Sequence, residues 1–400
     1  MIPAARIQSA IEIVDLWQSG IDGIDRVLAG WGRGNRYAGS SDRRAIADLV
    51  YDTVRRLRSA AWAAGVDEIP HGRDLVLGSL ILDGLDEIAL SALFTGFQHT
   101  PARLSEFELS RLRQALDDAP RPIRLDFPDW LAPHLKVIPD AALELTRQRA
   151  PLFLRVNLLR SDLSAAIDAL AAEQIITEPG PLSPTCLTVL SGARTVTRSR
   201  AYLDGYVEVQ DAASQAVAGY AQARPGDTVL DYCAGAGGKA LALAVTMAGQ
   251  GALHAHEIAP QRLAQLGERA MRAGVEITFH EPGQIAPLTD RCDLVLVDAP
   301  CTGSGAWRRN PDAKWRLTES QLAGYVQTQD TVLDLAAAAV RPGGRLIYAT
   351  CSMLTIENQQ RVAHFLATRP GFHPGRDPLI LTPSDGGDGF FACEILRKPE

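Results

Sequence analysis

The chain has 400 residues, 46% of them apolar and 22% charged, with a formal net charge of -7 and a pI near 5.7. That length exceeds a single hydrophobic core and predicts two or three domains, while the acidic total does not advertise a nucleic-acid binder, although a polyanion docks on a local patch and not on a sum. The cysteines, Cys186, Cys233, Cys292, Cys301, Cys351 and Cys393, are scattered without a C-x-x-C pair or a histidine cluster, which argues against a metal site and against a disulfide framework.

Arg6, Glu12 and Asp15 interrupt the opening stretch where a secretory signal needs an unbroken apolar core, and Ile7, Ile11, Val14 and Trp17 share one helical face. A buried helix is therefore predicted at the start. No apolar run approaches the roughly 20 residues that span a bilayer, and a cytoplasmic location is expected. Helical periodicity continues to about residue 117, with Ser41 or Asp42 as the cap of a long amphipathic run whose polar side carries Arg43, Arg44, Arg55, Arg56 and Arg58. That side fits either a solvated helix face or an RNA-facing stripe.

Between 118 and 139 the prolines Pro120, Pro122, Pro128, Pro133 and Pro139 interrupt regular structure. A helical domain over 1–125 is expected to end there. A small α+β module over 126–210 follows, with strands at "PLFLRVNLL", "CLTVLSG" and "YVEVQD" and a helix at "DLSAAIDALAAEQ".

From 211 to 400 strands alternate with helices: "TVLDYC", "ALHAHE", "EITFH", "DLVLVD" and "RLIYAT" are each followed by a helical or loop segment. Thr318 and Gln321 form a capping box for the longest of those helices. Such alternation specifies an α/β fold, a doubly wound, mostly parallel Rossmann-like sheet whose ligands bind at the carboxyl ends of the strands.

"DYCAGAGGKA" places a glycine-rich turn after the first of these strands, with Gly235, Gly237 and Ala240 satisfying G-x-G-x-x-[G/A] and Glu257 twenty residues past Gly237. Read literally, this is a dinucleotide fingerprint. The same geometry serves S-adenosylmethionine, and an acid directly before the turn, Asp231, suits a cofactor with a cationic head better than one with a phosphate. Lys239, at the start of the helix, points into the same crevice.

"VDAPCTGSG" and "YATCSM" end two strands in a cysteine, Cys301 and Cys351. Carbon 5 of a pyrimidine is a poor nucleophile, and a thiolate adding to carbon 6 turns it into an enamine-like one that can accept a methyl group. A base must then remove the carbon 5 proton so that the thiolate can leave, and an acid such as Asp298 near ring nitrogen 3 favours the addition. One cysteine attacking and the other assisting release accounts for both fragments, whereas Cys186, Cys292 and Cys393 read as inert buried thiols.

"VQDAAS", "CAGAGGK", "DAPCTGSG", "RRNPDAKW", "YATCS" followed by "ENQQ", and "DGFF" together resemble the RNA cytosine-5 methyltransferase family of the Sun/RsmB type. The resemblance implies a methyltransferase domain preceded by a NusB-like all-α domain and a small RNA-binding module. It implies Cys351 as nucleophile, Cys301 as the release cysteine and Asp298 as their partner. It further implies S-adenosylmethionine contacts from Asp231, Cys233, Ala234, Gly235, Ala236, Gly237, Gly238, Lys239, Glu257 and Asp298, and an RNA-facing loop carrying Arg308, Arg309, Asn310 and Lys314. The loop's tryptophans, Trp307 and Trp315, interleave with its cations as stacking and phosphate contacts would require, and the same pattern fits a loop whose tryptophans are core and whose arginines are solvated. The base must leave its stack to react, so a single-stranded or flipped nucleotide in ribosomal RNA is the expected partner, with the protein a monomer. This sequence departs from the family where Ala236 replaces proline, where Glu257 replaces aspartate, and after the third strand, where Glu281 is the substitute for an adenine-contacting aspartate.

Two rivals share part of the pattern. A nicotinamide-dependent oxidoreductase would use the glycine loop but leaves both cysteine motifs unexplained, and a non-catalytic RNA-binding assembly factor would not need Cys301, Cys351 and Asp298.

Overall fold

The computed structural model describes residues 1–20, 22–66, 70–112 and 116–399. The chain divides into two compact units, Met1–Arg149 with Trp307–Arg316, and Ala150–Ala306 with Leu317–Glu400.

The first unit is helical. Its main helices run Pro3–Gln18, Ile24–Gly34, Ser40–Arg55, Leu57–Ala63 and Gly72–Leu82, and they bury Ile13, Val14, Ile46, Val50, Val54, Leu75 and Leu77 together. The apolar face read at the start of the sequence is buried as expected: Ile7, Ile11, Val14 and Trp17 all lie in that core. Gly39, not Ser41 or Asp42, caps the third helix. Asp42 is drawn away to pair with the chain amine and Arg6.

The proline-rich segment does not end this unit, which continues to Arg149. Buried Asp126 explains why: one carboxylate oxygen accepts from the backbone N–H of Arg58 and Ser59 at 2.9 Å, and the other accepts from Ser59 Oγ and from Arg147. Orphan donors at a helix start are thus satisfied by a residue nearly seventy positions away. The expected arginine stripe is consumed by similar contacts, with Arg55 on Asp52, Arg56 on Asp83 and Arg58 on Asp129.

The segment expected to face RNA belongs to this helical unit as well. Lys314 is buried and donates to the Arg55 carbonyl at 3.1 Å, Trp315 Nε1 donates to the Val54 carbonyl at 2.7 Å, and Arg55 Nε returns a bond to the Arg308 carbonyl at 3.0 Å. Arg308 and Trp307 are buried too. The expectation that Lys314 and Arg308 present charge to RNA is therefore corrected, because a buried cation cannot reach a phosphate from solvent. Arg309 is half-buried and Asn310 exposed.

The second unit holds two sheets. Strands β1 (Phe153–Val156), β2 (Ile176–Pro179), β3 (Cys186–Ser191) and β4 (Val207–Val209) form an antiparallel sheet in the order β2-β3-β1-β4, with the helix Leu163–Ala172 contributing to its core. All but β2 were legible in the sequence.

The larger sheet contains β5 (Thr228–Asp231), β6 (Ala252–His256), β7 (Thr278–His280), β8 (Cys292–Asp298), β9 (Val340–Thr350), β10 (Phe372–Pro374), β11 (Leu379–Leu381) and β12 (Phe390–Arg397). Its order is β10-β12-β9-β8-β5-β6-β7, with β5 to β9 parallel and β12 antiparallel to β9. The order reverses between β5 and β8, so a crevice opens at their carboxyl ends. The sequence also missed the helix Ala212–Ala221 and the closing strands β10 to β12. Thr318 caps the helix Glu319–Ala337 through the expected box with Gln321.

Burial pushes the Lys314 ammonium down to about 8, against a weaker opposing pull from the Asp126 charge. The folded state then sheds this proton near pH 8 while the unfolded chain keeps it to about 10.5, so raising the pH between those values favours folding. Thermal melts at pH 7 and pH 10 should show the wild type gaining about 2 kcal/mol relative to Lys314→Met. A gap that stays constant with pH would contradict the assignment.

Candidate active site

Asp231 is the last residue of β5, and the chain turns immediately after it through Tyr232 to Gly237 into the helix Gly238–Thr246. Gly237 makes this turn possible. Its φ is +83°, and a Cβ there would lie 1.9 Å from Leu266 Cδ1. Gly235, at φ +56°, donates its N–H to Glu257 Oε2 at 2.9 Å, while Glu257 Oε1 accepts from Ala259 N at 3.0 Å. Glu257, at the end of β6, therefore braces the loop, with lone pairs left over for a diol.

Asp231 is buried, and apart from the Ala240 N–H no donor serves its carboxylate. A buried carboxylate so short of donors is costly. Burial raises its pKa to about 7, the nearby Asp298 charge adds to the rise, and Lys239 and the Ala240 N–H oppose it. An ammonium arriving in the crevice would supply the missing donors, which is what the amino-acid portion of S-adenosylmethionine carries. The residues present thus fit that cofactor.

Lys239 is buried and donates Nζ to Asp298 Oδ2 at 2.6 Å, with Nζ 4.7 Å from the Phe390 ring centroid. Burial works against its charge, but Asp298 and the sulfur of Cys351 outweigh this and raise its pKa. Cys233 is held far from ionisation by burial and by the Asp231, Asp298 and Glu257 charges. Asp231, the glycine turn, Lys239, Glu257 and Asp298 thus lie at the ends of β5, β6 and β8, whereas Glu281 lies exposed beyond β7.

The two opening cysteines meet. Parallel pairing sets Asp298 of β8 beside Ala349 of β9, so the residues just past each strand emerge side by side. Cys301 Sγ lies 3.4 Å from Cys351 Sγ across a sequence gap of 50. The Cys301 thiol is raised well above its ordinary pKa, first by its hydrogen bond with Cys351, then by burial and the charges of Cys351 and Glu357. Cys186 and Cys292 are pushed up to about 12 and Cys393 to about 11, mainly by burial, as inert thiols should be. Glu357, Gln329 and Thr302 also bind the cysteine loops; Thr302 and Glu357 lie within the "DAPCTGSG" and "ENQQ" motifs without having been given a role, and no local sequence signal marked Gln329.

A family model described as 16S rRNA methyltransferase RsmB/F matches residues 220–377. The chain is 32% identical to ribosomal RNA small subunit methyltransferase B of Yersinia pseudotuberculosis over 394 residues, covering 89% of this chain and 91% of that one. The chain belongs to the RsmB/F methyltransferase family. Its methyl donor is S-adenosylmethionine, which removes the oxidoreductase reading. The fold is shared with the crystal structure of PH0851, at a TM-score of 0.72 and 23% identity over 99% of both chains. A methyltransferase homolog protein from Pyrococcus horikoshii aligns at a TM-score of 0.61 and 22% identity, over 69% of this chain and 97% of its own.

Asp231 must be ionised to pair with the cofactor ammonium, and its pKa near 7 means that binding below neutrality first costs a proton. Calorimetry should show the dissociation constant of S-adenosylhomocysteine rising about tenfold from pH 8 to pH 6, and a weaker, pH-flat constant for Asp231→Asn. The same slope in both proteins would contradict this.

Proposed function

We propose that this protein transfers a methyl group from S-adenosylmethionine to carbon 5 of a cytosine in RNA, through a covalent bond between Cys351 and the base. Small-subunit ribosomal RNA is the proposed substrate, on the strength of the Yersinia relative's name. The observation that carries the reading is the 3.4 Å contact between Cys301 and Cys351. Neither a hydride transfer nor a simple nitrogen methylation has a use for a second thiol there.

In this reading the Cys301 S–H is the donor in the contact between the two sulfurs, and Cys351 attacks as a thiolate. That thiolate adds to carbon 6, and the displaced electron pair passes toward carbon 5 and nitrogen 3. Asp298, paired with Lys239, is an acceptor, so its role is to hold a proton on nitrogen 3. Bound S-adenosylmethionine supplies the methyl group that carbon 5 takes up.

Once Cys351 is a thioether it no longer accepts the Cys301 hydrogen and no longer repels a second thiolate. Two causes of the raised Cys301 pKa are thereby removed, and Cys301 can ionise at the stage where a base is needed. It takes the carbon 5 proton, the ring double bond re-forms, and Cys351 departs as the thiolate. Nitrogen 3, protonated from solvent as Cys351 added, gives that proton back, so the one proton released per methyl transferred is the one Cys301 lost to solvent on ionising.

The helical unit and the β1–β4 sheet are proposed as the RNA-binding modules, the former NusB-like. Arg309 and Asn310 remain candidates for RNA contact.

With a small-subunit RNA transcript and radiolabelled S-adenosylmethionine, Cys351→Ala should abolish transfer. Cys301→Ala should attack and stall, leaving an RNA adduct that survives a denaturing gel. An adduct from the Cys351 variant would reverse the roles, and none from either would remove the covalent mechanism.

A further inference from the structure

Glu357, the first residue of the "ENQQ" motif, is fully buried just beyond β9, and the motif assigned it no role. Four donors converge on its carboxylate. Thr302 N at 2.9 Å and Gln329 Nε2 at 3.0 Å reach Oε1, while Thr302 Oγ1 at 2.5 Å and Ser352 Oγ reach Oε2. Thr302 directly follows Cys301 and Ser352 directly follows Cys351, so one carboxylate ties together the residues next to the two sulfurs. The Gln329 amide also donates to Pro300 O at 2.9 Å, on the other side of Cys301.

A second tier keeps this cluster rigid. Ser304 Oγ lies 3.0 Å from Ser352 Oγ and accepts from Met353 N at 2.8 Å. Asn358 donates to Ser352 O at 2.8 Å and accepts from Thr350 Oγ1 at 2.5 Å, and Tyr348 OH donates to the Glu357 carbonyl at 2.6 Å. Among the described residues no lysine or arginine pairs with Glu357, so this buried acid is stabilised by neutral donors alone. Such a group is expensive as mere packing, since apolar residues of equal volume often do as well or better. Its geometry has a more specific use.

We propose that Glu357 is a positioning residue for the reaction, which sets the separation of the Cys301 and Cys351 sulfurs by clamping the residue after each. The proposal rests on the two-cysteine reading above. The negative charge of Glu357 also helps keep Cys301 protonated as the donor to Cys351. A neutral amide in its place would turn an NH2 group toward two of the four donors, and the two loops would part.

The test combines turnover with a measure of sulfur separation that does not depend on RNA. Diamide takes up the two thiol hydrogens as a Cys301–Cys351 disulfide forms. That bond needs the sulfurs to close only from 3.4 Å to about 2.05 Å, so its rate, followed by peptide mass mapping, reports how well they are held together.

For Glu357→Gln the expected outcome is a kcat about 100-fold lower with an RNA KM changed less than about threefold, disulfide formation slowed about tenfold, and unchanged S-adenosylhomocysteine affinity. An unchanged kcat would overturn the proposal, and so would a fallen kcat with an unaltered disulfide rate. Should Glu357→Gln fail to fold, Thr302→Val removes one donor and leaves the carboxylate, and should lower both rates together. Thr302→Ser, which keeps both donors, should restore them, and failure of that rescue would equally overturn the clamp. If the wild type itself methylates no RNA, the functional reading fails, while the disulfide rates still decide the role of Glu357.

Discussion

Two sulfur atoms held within 3.4 Å of each other are the constraint on which the rest of this structure depends. Their proximity is a property of the sheet. β8 and β9 run parallel and in register up to Asp298 and Ala349, so whatever follows each strand leaves the sheet at the same edge. Residues that local sequence keeps 50 positions apart are thereby placed side by side. The same edge, one strand over, carries Asp231 and the glycine turn, so both cysteines and the glycine turn lie at the ends of neighbouring strands. Lys239 joins the two halves, because it starts the helix after the turn and pairs with Asp298.

Charge in this crevice is arranged to stay unsettled until ligands arrive. Asp231 is short of donors, and burial raises its pKa. Cys301 is held protonated by its bond with Cys351, by burial and by the Glu357 charge. Buried ionisable groups shifted in this way commonly cluster at functional sites. The inert thiols Cys186, Cys292 and Cys393 offer the contrast: burial and then one neighbouring carboxylate raise each of them, and none is bonded to a second sulfur.

The parallel strands and the glycine turn were legible because each is a local pattern, an apolar run ending in small or acidic residues. The cysteines were legible because their motifs sit at predicted strand ends. What escaped was non-local. Lys314 and Trp315 look like RNA contacts by composition, yet their partners are carbonyls of Arg55 and Val54, some 260 residues earlier. Arg56 and Arg58 of the helical unit pair with carboxylates that only folding brings near, and the proline-rich segment stays in that unit because Asp126 is bonded to Arg58 and Ser59. β10 and β11 are three-residue strands that pair only with β12, too short to show a period of their own. The "ENQQ" motif marked Glu357, but its role did not show, since its four donors come from three separate segments.

A cytidine blocked at carbon 5 offers the most direct test of the central claim. RNA containing 5-fluorocytidine can be attacked and methylated but has no carbon 5 proton to lose, so the covalent complex of the wild-type protein should persist. Digestion and tandem mass spectrometry of that complex should find the modified nucleotide on the peptide that contains Cys351. A nucleotide carried by Cys301, or no covalent complex at all while methyl transfer to ordinary RNA proceeds, would contradict the account.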